Sequence, residues 1–258
     1  MKSNITNFDS PLLEKAMEPP LLTVPPHFPL SEVAERMYQP RRGREVSEPA
    51  RGTESGGTPY ALVLRENQLI GIVSGRDLLR LAVAGEGLEG LAAGDGMEAD
   101  PPTLHRQEVE NPLALFSVLR EWGVDRLPIL DETEAVVGVV TRERLHSLLK
   151  PSERHLKRCR VGDRVEGNPL AVSPTTSLAD LARLFVERRL GAVAVVRPSD
   201  PDSDLIPVGL VTETDLVLAL IREGFRGGNA GNIMRSATAH RSATAHRSAT
   251  AHRSPPPT

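Results

Sequence analysis

Three short stretches of the chain place a hydroxyl group and a charged side chain three residues apart, directly after an apolar run. The stretches are LIGIVSGRD at 69–77, VVGVVTRER at 136–144 and PVGLVTETD at 207–215. In the first, Ser74 precedes Asp77, and in the third, Thr212 precedes Asp215. A carboxylate at this point can accept hydrogen bonds from two neighbouring hydroxyl groups, such as those of a ribose. The adjacent Ser or Thr can both donate and accept a hydrogen bond.

The same spacing also suits phosphate. If a helix starts after each hydroxyl, its N-terminus contributes partial positive charge, and Arg76 lies between Ser74 and Asp77. A structural alternative stays open, because Ser or Thr with Asp at a helix start is a common N-cap that stabilises the helix by about 0.5 to 2 kcal/mol. In the second stretch Thr141 is followed by Arg144, which has no acceptor, so a structural role is favoured there.

The stretches belong to a longer repeat, because their glycines, Gly71, Gly138 and Gly209, recur at intervals of about 70 residues. Each repeat predicts a short strand beside proline, a helix, a hairpin of two strands and a closing helix. In the third repeat, Ser177 and Asp180 mark a helix start, and Leu178, Leu181, Ala182 and Phe185 form an apolar stripe. A β-α-β-β-α unit of about 60 residues buries little surface alone, so two units should pack sheet against sheet.

The repeats divide the chain into three units with distinct flanking segments. Residues 1–10 are a flexible N-terminus, 85–92 form a linker, and the first unit contains a flexible insertion at 39–59 that is rich in Gly, Pro and charge. The tail at 229–258 starts like a fourth unit, with Met234 in the place of Met17 and Met97, and continues as RSATAH repeats typical of disorder. The units are 11–84, 93–150 and 158–224.

The composition limits the classes of function. The net charge of −3 and 3% aromatic residues argue against nucleic-acid binding, and the apolar runs are too short to cross a bilayer. A single cysteine, Cys159, fits a reducing compartment, so we expect a cytoplasmic protein. GEGLEG at 85–90 follows a predicted helix instead of a strand. No arrangement typical of an enzyme, a required cofactor or a metal site stands out.

The combination of proline-flanked strand, capped helix, hairpin with G-h-h-[TS]-x-x-D and closing helix resembles the cystathionine-β-synthase (CBS) domain, and RLPILDETEAVVGVVT is especially close. The resemblance implies an α+β fold of repeated units, the first two paired as a Bateman module and the third without an intact partner. It also implies a regulatory cleft for AMP, ADP, ATP or S-adenosylmethionine. The ligand-binding positions that it indicates are Thr58, Tyr60, Ser74, Arg76, Asp77, Val124, Asp125, Thr141, Gly191, Thr212 and Asp215.

These observations support three hypotheses of function. The first is a sensor that binds an adenine nucleotide as a regulatory ligand and signals to a partner protein or domain. The second is a dimerisation or protein-interaction scaffold without a ligand. The third is the sensory fragment of a bacterial signalling enzyme, such as a histidine kinase or diguanylate cyclase. Because the sheet of the third unit lacks a partner, we also expect either a homodimer through that unit or poor solubility.

Overall fold

The computed structural model describes residues 11–20, 22–39, 60–109, 111, 114–148, 170–198, 205–225 and 227–236. The expectations for the N-terminus, for the insertion beyond Gln39 and for the tail beyond Ser236 lie outside these ranges. The helices are α1 Pro11–Ala16, α2 Leu30–Tyr38, α3 Gly75–Ala84, α4 Ala93–Gly96, α5 Leu115–Glu121, α6 Arg142–Leu148, α7 Leu178–Arg188, α8 Glu213–Glu223 and α9 Ala230–Ile233. The strands are β1 Met17–Glu18, β2 Thr23–Val24, β3 Tyr60–Arg65, β4 Gln68–Ser74, β5 Glu98–Ala99, β6 Leu104–His105, β7 Arg126–Leu130, β8 Val136–Thr141, β9 Ala171–Val172, β10 Ala192–Pro198, β11 Leu205–Thr212 and β12 Arg235–Ser236.

Each unit contains one four-stranded sheet built around the expected hairpin. The sheet orders are β2-β3-β4-β5, β1-β8-β7-β6 and β12-β11-β10-β9. In each sheet the two hairpin strands are antiparallel and a short strand lies parallel to the first of them. The first hairpin turns at Glu66 and Asn67, whose positive φ angles of 50° and 68° are typical of a type I′ turn. The α+β repeat is therefore confirmed.

The fourth strand of each sheet comes from a segment that precedes or follows the unit in sequence. Units 1 and 2 exchange these segments, because β1 pairs with β8 of unit 2 and β5 pairs with β4 of unit 1. In the same way, β12 pairs with β11 and completes the sheet of unit 3. Residues 229–236, which resemble the start of a fourth unit, thus serve as the edge of the third.

The exchanged segments explain why glycine recurs in the hairpins. A methionine from the added segment covers the middle of each hairpin: Met97 lies over Gly71, Met17 over Gly138 and Met234 over Gly209. A Cβ atom on Gly138 would lie 3.0 Å from the Cβ of Met17, and one on Gly209 would lie 2.8 Å from the Sδ of Met234. Glycine therefore permits the edge segment to approach the sheet.

The sheets of units 1 and 2 face each other, as expected for a pair. Tyr60, Leu62 and Ile72 of unit 1 form one buried cluster with Val139 of unit 2. An isolated bridge between Gln68 and Ala135 joins the two hairpins at their ends. Because burying one such aliphatic side chain contributes about 1.5 to 3 kcal/mol, this contact holds the first two units together as one module.

Unit 3 packs against unit 1 through helices, a contact that the sequence did not indicate. Helix α3 contacts α7 and α8, and one apolar core contains residues of both units. The predicted stripe of α7 is buried in this core, and the hydroxyl of Ser177 accepts a hydrogen bond from the backbone N–H of Asp180 at 3.1 Å. The helices of unit 3 are thus covered.

The sheet of unit 3 has no opposing sheet among the described residues. Leu210 follows Gly209 in the hairpin as Ile72 follows Gly71 and Val139 follows Gly138, so the three positions are equivalent. Ile72 is 7% exposed and Val139 is 0% exposed, whereas Leu210 is 44% exposed. Within the described ranges, the third unit therefore lacks the sheet partner that units 1 and 2 provide for each other.

In the part of the chain that the structure describes, the longest helices have eleven residues, and none is long and apolar enough to span a bilayer.

Candidate functional site

A cleft of about 340 Å³ lies between units 1 and 2. Unit 1 contributes the end of β4 and the start of α3, and unit 2 contributes the loop that joins α5 to β7. Helix α7 of unit 3 closes one side. This volume is in the range of small-molecule sites. The lining residues are Ile72, Ser74, Arg76, Asp77, Arg80, Glu98, Pro101, Pro102, Trp122, Gly123, Val124, Asp125, Arg126, Val186 and Arg189.

Asp77 lines the cleft and also caps its own helix. Its Oδ2 accepts a hydrogen bond from the backbone N–H of Ser74 at 2.9 Å and another from the Ser74 hydroxyl at 2.6 Å. Its Oδ1 pairs with a guanidinium nitrogen of Arg80 at 3.0 Å, and the side chain is only 3% exposed. The capping alternative is therefore present in the structure, beside a cavity.

The number of hydrogen bonds that a ligand could donate to Asp77 depends on how many lone-pair sites of its carboxylate are already occupied. An ionised carboxylate has about four lone-pair sites, and two on Oδ2 and one on Oδ1 are occupied. Among the described residues, one site on Oδ1 has no partner, and Arg80, whose side chain is 58% exposed, can turn away to release the second. Asp77 can thus accept one ribose hydroxyl without rearrangement, or two if Arg80 moves.

The cleft is rich in arginine. Arg76, Arg80, Arg126 and Arg189 line it together with three carboxylates, Asp77, Glu98 and Asp125. Two of these carboxylates already have partners, since Asp77 pairs with Arg80 and Asp125 pairs with Arg142 at 3.1 Å. Among the described residues, no salt bridge forms at Arg189. The lining therefore favours an anionic ligand, because a phosphate can engage guanidinium groups through paired hydrogen bonds.

Two side chains of unit 2 supply flat surfaces to this cleft. The guanidinium of Arg126 lies over the ring of Tyr60 with its central carbon 5.2 Å from the ring centroid, which is a cation–π contact. Trp122 lies at the end of α5 and is 45% exposed. A partly exposed indole at the edge of a polar cleft offers a stacking surface for a planar base.

The structure brings together five of the eleven predicted positions, namely Ser74, Arg76, Asp77, Val124 and Asp125. Thr58 lies outside the described residues. Tyr60 lies in the core between the two sheets at 2% exposure, under Arg126 instead of on the cleft wall. The positions that do not line this cleft are Thr141, Gly191, Thr212 and Asp215.

The motif of unit 2 is structural in this arrangement. The hydroxyl of Thr141 accepts a hydrogen bond from the backbone N–H of Arg144 at 3.1 Å, which caps α6. The side chain of Arg144 turns to the end of α1, where its Nε donates to the carbonyl of Lys15 at 2.9 Å. A cation at a helix C-terminus is stabilising, so Arg144 joins the exchanged segment to unit 2.

The motif of unit 3 repeats the geometry of unit 1 with another partner. Oδ2 of Asp215 accepts hydrogen bonds from the N–H and hydroxyl of Thr212 at 2.9 and 2.6 Å. Its Oδ1 accepts a hydrogen bond from Nε of Arg235 at 3.1 Å. Because Arg235 belongs to β12, Asp215 connects the completing strand to the closing helix.

The sequence reasoning did not single out four contributors to the cleft: Arg80, Trp122, Arg126 and Arg189. Arg80 is one helical turn after Arg76, a spacing that could have indicated it. Trp122 and Arg126 flank the predicted positions Val124 and Asp125. Arg189 comes from unit 3, and only the packing of α7 against unit 1 brings it here. In the described ranges no group of His, Cys, Asp or Glu is arranged to hold a metal ion.

Comparisons with known proteins agree with this architecture. The family model of the CBS domain matches residues 13–84, 97–150 and 161–222. A search of curated proteins finds no significant match. The solved structure of protein MJ1225 from Methanocaldococcus jannaschii, proposed to be an archaeal homologue of γ-AMPK, is similar with a TM-score of 0.62 at 17% identity, over 88% of this chain and 82% of that one.

Two further solved structures match the chain with TM-scores below 0.5. A conserved protein from Pyrococcus horikoshii matches 69% of this chain and 70% of its own at 18% identity and a TM-score of 0.43. CBSX2 in complex with AMP matches 56% of this chain and 96% of its own at 21% identity and a TM-score of 0.38. Similarity at these identities concerns the fold alone. Because the family model matches three consecutive segments that together make up most of the chain, the chain belongs to the CBS domain family.

Proposed function

We propose that the chain is a regulatory module that binds an adenine nucleotide in the cleft between units 1 and 2 and signals its occupancy to a partner protein in the cytoplasm. One observation carries the proposal: Asp77, an acceptor for a ribose hydroxyl, lines the same cleft as four arginines suited to phosphate. Trp122 offers a surface for the base. CBS domain proteins are typically regulatory and nucleotide-binding, which agrees with this arrangement.

The charge of the cleft favours a phosphorylated ligand over S-adenosylmethionine. The sulfonium of S-adenosylmethionine is positively charged and would lie among Arg76, Arg80, Arg126 and Arg189. Like charges in a partly desolvated site repel each other more strongly than in water. A nucleotide phosphate has the opposite charge and forms charge-assisted hydrogen bonds with guanidinium groups. We therefore infer that AMP, ADP or ATP is the ligand.

Isothermal titration calorimetry of the purified chain with AMP, ADP, ATP and S-adenosylmethionine tests this proposal. Asp77→Ala should weaken nucleotide binding at least tenfold, about 1.4 kcal/mol. Asp215→Ala is a matched control, because it removes the same capping interaction outside the cleft, and it should leave the affinity unchanged. A ligand at a hundred times its dissociation constant should stabilise the fold by about 2.7 kcal/mol. Absence of heat with every ligand would refute the proposal.

A second function, dimerisation, is favoured by the uncovered sheet of unit 3. Leu205, Ile206 and Leu210 of β11 are 61%, 44% and 44% exposed, and the equivalent surface of units 1 and 2 is an apolar sheet-to-sheet contact. We infer that unit 3 pairs with unit 3 of a second copy, since a two-fold interface uses the same patch on both chains. This pairing is compatible with nucleotide binding in the other cleft.

A further inference from the structure

Glu213 of unit 3 shares with the Tyr38 hydroxyl the space that the absent side chain of Gly75 leaves in unit 1. The two residues hold the same position in their repeats, directly after Ser74 and Thr212. They face each other where the starts of α3 and α8 meet. A Cβ atom on Gly75 would lie against the hydroxyl of Tyr38, 2.7 Å from Oε1 of Glu213 and 3.4 Å from Cγ2 of Val217. The glycine thus permits the carboxylate of unit 3 to reach the N-terminus of α3.

The carboxylate of Glu213 lies close to Arg76. Its Oε2 is 3.6 Å from a terminal guanidinium nitrogen of Arg76, and the two side chains are 23% and 30% exposed. A charge pair that is partly shielded from water interacts more strongly than one on an open surface. Unit 3 therefore supplies an anion to an arginine of unit 1.

Arg76 also lines the cleft between units 1 and 2. Its Nε is buried and, among the described residues, has no hydrogen-bond partner. Its guanidinium thus has donor capacity beyond the contact with Glu213. A phosphate in the cleft and the carboxylate of Glu213 would interact with the same positive charge.

We propose that Glu213 is a specificity-determining residue of the nucleotide cleft, where it competes with the ligand phosphate for Arg76. The inference rests on the proposed nucleotide site and adds a role for unit 3. With Glu213 ionised, the cleft attracts phosphate less strongly than its four arginines would otherwise allow. By reciprocity, phosphate binding weakens the Arg76–Glu213 contact and hence the contact between units 1 and 3. Occupancy of the cleft is thereby transmitted to the third unit.

Calorimetric titration of Glu213→Gln with ADP, adenosine and inorganic pyrophosphate tests the competition. Glutamine preserves the shape of the side chain and removes its charge. Relative to the wild-type chain, ADP and pyrophosphate should bind about fivefold more tightly or better, a coupling at the lower end of the usual range. The affinity for adenosine, which has no phosphate, should change less than twofold.

Two further variants separate the contact from a general change in charge. Glu223→Gln removes the same charge from the far end of α8, about 15 Å along the helix, and should leave all three affinities within twofold of wild type. In an Arg76→Gln background, Glu213→Gln should give a smaller gain than in the wild-type chain, because the nearest shared partner is absent while Arg126 remains.

The outcomes distinguish this inference from the proposed function. If the wild-type chain binds pyrophosphate and not ADP, and Glu213→Gln strengthens pyrophosphate binding, the competition stands and the nucleotide assignment falls. If ADP binds and Glu213→Gln leaves its affinity within twofold, the nucleotide site stands and the competition is wrong. If Glu223→Gln gives an equal gain, or if no variant binds ADP or pyrophosphate, the proposed role of Glu213 is also wrong.

Discussion

Arg76 and Glu213 lie 3.6 Å apart and join the start of one closing helix to the start of another. Arg76 lines the cleft between units 1 and 2, whereas Glu213 belongs to unit 3. All three units therefore meet beside the candidate site. The cleft of the paired units is built partly by the third, which contributes Arg189 to the lining and Glu213 to the charge balance.

The packing at Gly75 should be sensitive to a single methyl group. Gly75→Ala would place a carbon atom against the hydroxyl of Tyr38 and 2.7 Å from Glu213 Oε1. Relief of that overlap requires the buried Tyr38 side chain and the Glu213 carboxylate to move, so we expect a loss of about 1 to 3 kcal/mol in the free energy of unfolding, measured by urea denaturation. Gly87→Ala is the control, because the nearest atom, the backbone nitrogen of Glu89, would be 4.0 Å away. Equal stability of the two variants would contradict the close contact.

The capping carboxylates of Asp77, which is buried, and of Asp215, whose side chain is 11% exposed, should contribute more to stability than a well-exposed one at the same spacing. Asp77→Ala and Asp215→Ala each leave a backbone N–H without its acceptor, and we expect each to cost about 1 to 2 kcal/mol. Asp180, which accepts a hydrogen bond from the Ser177 hydroxyl, is 62% exposed, so Asp180→Ala should cost less than about 0.5 kcal/mol. Chemical denaturation of the three variants measures the difference. A cost for Asp180→Ala as large as that for Asp77→Ala would argue against burial as the cause.

The stability of the chain should depend on pH through Glu213. Burial raises the pKa of the Glu213 carboxyl, Asp77 and Asp125 act in the same direction, and Arg76 and Arg126 oppose it. The hydroxyl of Tyr38, whose own pKa is raised by burial and by Glu213, also faces this group. Because the folded state takes up the proton at higher pH than the unfolded chain, ionised Glu213 lowers stability at neutral pH.

Acidification should therefore stabilise the wild-type chain relative to Glu213→Gln. The free energy of unfolding of the wild-type chain should begin to rise relative to that of Glu213→Gln as the pH falls through the pKa of Glu213 in the folded state. The rise is complete below the pKa of Glu213 in the unfolded chain, which is about 4.3. Urea denaturation of both proteins at a series of pH values from about 7 downward measures it. A difference between them that stays constant, or that changes in the opposite direction, would contradict the raised pKa.

Self-association through unit 3 should depend on the exposed sheet. Leu210→Lys places a charge where the equivalent residues Ile72 and Val139 are buried, so we expect it to abolish a dimer without unfolding the monomer. Sedimentation velocity at several concentrations measures the assembly. Leu12→Lys, at a leucine of α1 that is 53% exposed, is the control and should still dimerise. A wild-type chain that remains a monomer at every concentration would exclude this interface.

The sequence predicts local features of the fold well because those features depend on neighbouring residues. The Ser177 cap, the apolar stripe of α7 and the three hairpins follow from spacing alone. The recurring glycines can also be recognised in the sequence. The reason for glycine at these positions cannot, because Met17, Met97 and Met234 pack on hairpins of which they are not sequence neighbours. An exchange of segments between units leaves no local signal.

The candidate site likewise contains residues that can be predicted from the sequence and residues that only tertiary packing brings together. Ser74 and Asp77 could be found from the repeat and Asp125 from the resemblance to the CBS domain, whereas Arg189 depends on the helix contact between units 1 and 3. The residue that directly follows the hydroxyl differs among the three copies of the motif: it is Gly75, Arg142 or Glu213. The sequence shows this difference, but only the structure shows that Gly75 and Glu213 are in contact where α3 meets α8.

The fluorescence of Trp122 tests the central claim most directly, because it is the only tryptophan of the chain and it lines the cleft. Titration with ADP, corrected for absorbance with free tryptophan, should give a saturable change in emission with the same dissociation constant as calorimetry. Asp77→Ala should weaken this response, and Asp215→Ala should not. Nucleotide binding by calorimetry with no change in Trp122 emission, or no response to AMP, ADP and ATP by either method, would contradict a nucleotide site between units 1 and 2.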